Sequence, residues 1–105
     1  MKRNFIAILA VVFSAIAIPV SANEEINGVL INRVYIDPSD VVVLTNTSNG
    51  CGSNFFHLPR SNGNFKEMHT YMFLAFKNQV LINFNVTDDC QGDRRFISHG
   101  SMETP

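Results

Sequence analysis

Apolar residues are unevenly distributed along this chain, and their spacing changes from block to block. Residues 5–18 (FIAILAVVFSAIAI) form a run broken only by Ser14. From residue 28 the pattern becomes periodic. Residues 28–36 (GVLINRVYI) are rich in Val, Ile and Tyr and predict a strand. Leu30, Asn32, Val34 and Ile36 share one face of it, and Val29, Ile31, Arg33 and Tyr35 the other. Both faces are largely apolar, so one is expected to line a core and the other to meet a second surface. Residues 37–40 (DPSD) carry turn chemistry, and residues 41–44 (VVVL) predict a second strand that completes a hairpin.

The polar stretch 45–54 (TNTSNGCGSN) is a loop, with Gly50 and Gly52 flanking Cys51. Residues 55–58 (FFHL) predict a third strand, ended by Pro59, and Ser61-Asn62-Gly63 predicts a turn. A helix is then expected from Asn64 to Asn78. Asn64 and Glu67 fit a capping box, and Phe65, Met68, Met72, Ala75 and Phe76 make one apolar stripe. Lys77 suits the negative end of the helix dipole, and Asn78 suits a left-handed cap. Residues 80–86 (VLINFNV) alternate, with Val80, Ile82, Phe84 and Val86 on one face, and predict a strand. Residues 87–95 form a charged loop containing Cys90, and residues 96–102 (FISHGSM) a last strand.

The order is strand, strand, strand, helix, strand, strand. This predicts a mainly β domain with one helix, an OB-like five-stranded Greek-key barrel whose helix lies between the third and fourth strands.

The N-terminus alters the length of the domain. Lys2 and Arg3, the apolar run, Pro19 and the Val20-Ser21-Ala22 exit are the parts of a signal peptide, with cleavage expected between Ala22 and Asn23. The run is shorter than the roughly 20 residues a bilayer span needs, so no stable membrane anchor is expected after cleavage. Residues 23–105 would remain as one domain, with six basic and nine acidic residues and a formal charge of −3. That balance argues against nucleic acid, which needs a basic stripe. An isolated cysteine pair in an exported small domain is expected to be a structural Cys51–Cys90 disulfide. Closing that loop is worth about 4 kcal/mol in the chain-entropy account, comparable to the whole net stability of a domain this small.

The segment 64–86 (NFKEMHTYMFLAFKNQVLINFNV) resembles the helix-plus-strand unit of the B subunit of subtilase cytotoxin and its pertussis-like relatives. The strand opening at Gly28 and the cysteine-bearing loop before the helix sit in similar places. The chain is also similar to small exported bacterial proteins with a Gly-Cys before a strand and a second Cys after the helix–strand unit. The toxin resemblance implies a pentameric, glycan-binding subunit. This chain departs from that pattern in its shorter length, its single disulfide and the lack of matching sugar-binding positions.

Candidate chemistry is sparse. His57, His69 and His99 fall on different elements and match no metal spacing. Asp88, Asp89 and Asp93 lack the spacing and closing Glu of a calcium loop. Cys51 with His57 is excluded as a nucleophilic pair by the expected disulfide. No motif calls for a cofactor or metal, and no enzyme signature appears. The Asn-, Ser- and Gly-rich loops 45–54 and 60–64 could supply sugar contacts, with Phe55, Phe56 or Tyr71 as an aromatic platform. Tyr71, Phe73 and Leu74 widen the apolar surface of the helix and make a candidate partner face, for another protein or for a homo-oligomer.

These features predict a secreted or periplasmic, non-enzymatic binding module, and the toxin resemblance implies a glycan as its ligand. A protein-interaction partner or inhibitor of the cell envelope and a periplasmic stress-related protein binding small ligands stay open beside it. The exported protein is expected to begin at Asn23 and to contain no free thiol. Intact mass and alkylation without reduction check this; a retained leader or two added alkyl groups would contradict it.

Overall fold

The computed structural model describes residues 24–102. The signal segment and the Ala22–Asn23 junction lie outside the described residues. Six strands and one helix follow in the order β1 (Glu24–Val29), β2 (Ile31–Ile36), β3 (Asp40–Thr45), β4 (Phe55–Pro59), α1 (Phe65–Asn78), β5 (Ile82–Val86) and β6 (Ile97–Ser101). They form two three-stranded antiparallel sheets, β1-β5-β6 and β2-β3-β4. The expectation of a mainly β domain with one helix therefore holds. The expected five strands are six, and the sheets do not close into one barrel.

The extra strand, β1, begins at Glu24, ahead of the segment expected as one strand, and takes Gly28 and Val29 from it across a break at Leu30. Gly28 takes φ +67°, inside the register shift between Ile26 and Val29, a conformation glycine adopts without the Cβ penalty. Leu30 then leaves both ladders. Its N–H donates to Asn46 Oδ1 at 2.9 Å and its carbonyl accepts from the Asn46 N–H at 3.2 Å. The chain thus passes from one sheet to the other with its backbone polar groups satisfied. Val29 and Ile31, on either side of the break, are fully buried.

The helix has the expected stripe and starts after Asn64 as expected, but its ends are capped differently. Met68, Met72 and Ala75 are buried, with Phe65 and Phe76 packed against the core. Asn64 makes no side-chain cap; its Nδ2 donates instead to the Ser98 carbonyl on β6 at 3.0 Å. The left-handed residue is Gln79 (φ 55°, ψ 46°), one position later than expected. Gln79 N–H reaches the Phe76 carbonyl and Val80 N–H the Ala75 carbonyl, the paired bonds of a Schellman exit. That exit uses Val80, so Val80 and Leu81 lie outside β5 and are exposed, against the expectation that Val80 faces inward.

The core joins the sheets to the helix. Phe56 of β4 and Phe84 of β5 meet edge to face at 5.0 Å, both fully buried. Burial of each ring contributes about 2–3 kcal/mol before the entropy of ordering it. Val41, Val43 and Leu58 close the same layer from β3 and β4, and α1 packs across β2 and β4. At the open seam β4 and β6 approach in parallel: His57 bridges Phe96, and His57 N–H donates to the Arg95 carbonyl at 2.9 Å.

Cys51 and Cys90 are bonded, and no free cysteine is present among the described residues. The bridge ties the β3–β4 loop to the β5–β6 loop across 39 positions of sequence. Cys51→Ser is expected to lower stability by about 2–5 kcal/mol, read from urea melts of variant and parent. A shift below about 1 kcal/mol would show that the core carries the fold without the bridge.

Candidate functional site

The two loops joined by the disulfide are organised by two buried side chains, Asn49 and Arg95. Asn49 Nδ2 donates its two hydrogens to the carbonyls of Phe55 and Asp93, each at 2.8 Å, with Ser53 Oγ also 3.0 Å away; its Oδ1 accepts from the N–H groups of Cys51 and Ser53. Arg95 donates to the carbonyls of Thr87 and Asn49 and pairs with Glu24 at 3.1 Å. Glu24 is largely exposed, so the ion pair contributes little and the carbonyl bonds hold the guanidinium in place. Gly50 lies against this group. A Cβ there would meet Arg95 Nη1 at 3.0 Å, and its φ of +78° favours glycine independently.

Two clefts flank the resulting seam. The larger, about 640 Å³, lies between the turn after β4 and the β5–β6 loop. Asn62, Asn64, Asp89, Gln91, Phe96 and Ser98 line it. Asn62 Nδ2 donates to the Ile97 carbonyl at 2.9 Å and Asn64 Nδ2 to that of Ser98. Both amides are thereby oriented, and neither Oδ1 accepts a bond among the described residues. Thr87 borders this cleft, and its Oγ1 is buried with no hydrogen-bond partner among the described residues. An orphaned hydroxyl of this kind costs about 1–3 kcal/mol unless a partner reaches it.

The smaller cleft, about 310 Å³, opens on the outer face of the β2-β3-β4 sheet. Register places Tyr35, Val42 and His57 side by side across its three strands. Tyr35 and Phe55 rings lie 6.0 Å apart, tilted by 54°, and His57 lies 5.7 Å from the Phe96 ring. His57 Nδ1 is 2.8 Å from Asp40 Oδ2, and both side chains are only 12% exposed. A carboxylate oxygen can only accept, so Nδ1 carries the proton, and in the neutral ring Nε2 is left with a lone pair.

Residues singled out from sequence fall into several places. His57 is a member of this sheet-face site. His69 stacks between Phe65 and Phe73 along the helix, and His99 is exposed beside Ser98. Asp88, Asp89 and Asp93 are exposed loop residues, and no group of three or more metal-binding side chains occurs among the described residues. Of the three aromatic platforms considered, Phe55 borders a cleft, whereas Phe56 is sealed in the core. Tyr71 is half-buried and donates to the Ser101 carbonyl at 2.6 Å. Phe73 also packs on the core, which leaves Leu74 exposed from the candidate partner face. Leu74 instead joins Val80, Leu81 and Met102 around a groove of about 610 Å³.

Asn49, Thr87 and Arg95 carried no signal in the sequence. Their roles depend on carbonyls that lie far away in the chain, with Arg95 reaching Asn49 across 46 positions. Asp40 was read only as a turn residue, although its pairing with His57 follows from the β3–β4 register. No helix among the described residues is long and apolar enough to cross a membrane. Comparison with protein-family models, with curated proteins and with solved structures finds no match to this chain.

Proposed function

We propose that this chain is a secreted or periplasmic, non-enzymatic binding module of OB-like design, and that it holds a glycan in the amide-lined cleft beside Phe96. One observation carries the ligand class. The cleft is lined by two asparagines whose amino groups are already engaged and whose Oδ1 atoms are not, by Gln91 and Asp89, and by Phe96. A saccharide carries many hydroxyls on a ring with apolar faces, and amides, hydroxyls and an aromatic edge match that mixture. The disulfide is compatible with an oxidising compartment.

The OB-like reading rests on strand order. If β1 and β2 are counted as one bent strand, the order across the molecule is β4-β3-(β2/β1)-β5-β6, and the His57–Phe96 bridge brings the two outer strands together in parallel. This order supports the reading of a partly open five-stranded Greek-key barrel, in which the strands would follow one another in that way.

A second reading is favoured by the patch of Leu74, Val80, Leu81 and Met102, which a monomer leaves in water. In it the chain acts through a protein partner or another copy of itself, as the toxin-like resemblance implies.

A glycan array with the mature protein is expected to retain a defined set of saccharides. An Asp89→Ala, Gln91→Ala double variant should lose about tenfold or more in affinity, because each lost charged or neutral hydrogen bond is worth about 1 kcal/mol or more. Both side chains are exposed, so its urea midpoint should match the parent's. Absence of any retained saccharide, or unchanged binding by the double variant, would refute the glycan reading. For the second reading, light scattering at high micromolar concentration should show association that a Leu74→Glu, Leu81→Glu variant abolishes; a monomeric parent would refute self-association.

A further inference from the structure

Strand β2 lies at the end of the β2-β3-β4 sheet, and no strand among the described residues pairs with its outer edge. The opposite edge differs, because β4 meets β6 where His57 N–H donates to the Arg95 carbonyl. Alternation decides which groups of β2 are left over. Asp37 N–H donates to the Asp40 carbonyl at 2.9 Å, so Asp37, Tyr35 and Arg33 turn their backbone groups toward β3, opposite Asp40, Val42 and Leu44. Val34 and Ile36 then turn theirs outward, where no group among the described residues bonds to them. A free edge of this kind invites another strand, and chains commonly blunt it with Pro, Lys or a bulge. Residues 33–36 contain neither Pro nor Lys, and the one irregularity of β2 lies before them.

The side chains carry a charge pattern instead. Arg33, Tyr35 and Asp37 follow at two-residue spacing, which puts opposite charges on either side of Tyr35 along the outer face. Arg33 rests on Tyr35, donating to its hydroxyl at 3.3 Å with the guanidinium 5.9 Å from the ring centroid. Neither Arg33 nor Asp37 has a salt-bridge partner among the described residues. Ile36, on the other face, is 65% exposed.

We infer that the free edge of β2 pairs with β2 of a second copy of this chain, antiparallel about a two-fold axis at Tyr35. In that register Val34 of each copy faces the partner's Ile36, and each such pair exchanges two backbone bonds. The exposed Ile36 gains a cross-strand neighbour, and Arg33 stands opposite the partner's Asp37, twice by symmetry. Other arrangements lose this match. Moving the axis to Val34 sets Arg33 against Tyr35, and a parallel pair sets Arg33 against another Arg33. Charge therefore selects both direction and register, and β2 is complementary to itself. The contact is isologous, so it closes at two copies and does not grow into a fibre. Pairing over residues 33–37 alone buries less than a standard interface, which places the dimer at high micromolar concentration.

Sedimentation of the mature protein should show a monomer–dimer equilibrium in that range. Amide exchange followed by NMR should slow at Val34 and Ile36 as the sample is concentrated. It should stay constant at Arg33 and Tyr35, whose N–H groups bond β3 at any concentration. Arg33→Asp and Asp37→Arg each set like charges opposite one another and should weaken the dimer about tenfold or more. Mixed in equal amounts, these two variants have complementary edges, and the dimer should return; that recovery also shows that both are folded. The contact uses neither the amide-lined cleft nor Leu74 and Leu81, so the dimer should persist in the Leu74→Glu, Leu81→Glu variant. A monomeric parent, unchanged exchange at Val34 and Ile36, or mixed variants that stay monomeric would overturn the proposal. Loss of the dimer in the Leu74→Glu, Leu81→Glu variant would overturn it too, and would assign the association to that patch. A failed glycan array leaves all of these outcomes unchanged.

Discussion

Arg95 is buried at the seam between the sheets, and a guanidinium cannot stay there without acceptors for its donors. The Thr87 and Asn49 carbonyls supply them, with Glu24 reaching in from the surface. This requirement sets the position of both cysteine-bearing loops, because Asn49 and Thr87 belong to different ones. Asn49 completes the arrangement by binding the carbonyls of Phe55 and Asp93 from a buried amide. The disulfide joins the same two loops that these hydrogen bonds hold together. Gly50 follows from the same constraint, since any side chain there would press on Arg95 Nη1.

Both clefts are by-products of that seam. Where β4 and β6 approach without continuing into a full ladder, the turn after β4 and the loop before β6 stand apart and leave the amide-lined cleft between them. On the other side, no layer among the described residues covers the outer face of β2-β3-β4, and the Asp93–Arg94 segment of the same loop forms the rim of its cleft. The polar groups differ because their backbone duties differ. Asn62 and Asn64 use only their amino groups to hold β6, which leaves carbonyl oxygens to spare. On the sheet face Ser53 and the Nδ1 of His57 are engaged within the protein, while Asp37, Asp93 and Arg94 stand exposed at the rim.

Helix α1 shows how tertiary contact overrides a local signal. Asn64 and Glu67 have capping-box spacing, and an isolated helix would use it. In the folded chain Asn64 instead satisfies the Ser98 carbonyl on the edge strand β6. The same competition applies to Tyr71. From helix periodicity it points away from the main stripe, yet its hydroxyl reaches the Ser101 carbonyl and its ring packs on the core. A second layer that accepts residues beside the stripe cannot be read from the helix alone. The exposed apolar surface therefore moves from the helix side to its C-terminal exit, where the Schellman turn turns Val80 and Leu81 outward.

The sequence by itself determined the elements whose signals are local. Alternation in residues 82–86, the β-branched run at 41–43, the turn at Asp37–Asp40 and the stripe of Met68, Met72 and Ala75 all correspond to observed structure. The pairing of two lone cysteines was legible for the same reason, since only one partner was available. Tertiary structure decided the rest. The break at Leu30 depends on Asn46, sixteen positions away, and no pattern within residues 28–36 marks it. Asp40 meets His57 only through strand register, and Arg95 finds its carbonyls only once the sheets have met. Periodicity reports which face of an element is apolar. Which buried donor meets which distant carbonyl is set by packing, and both candidate sites are made of such meetings.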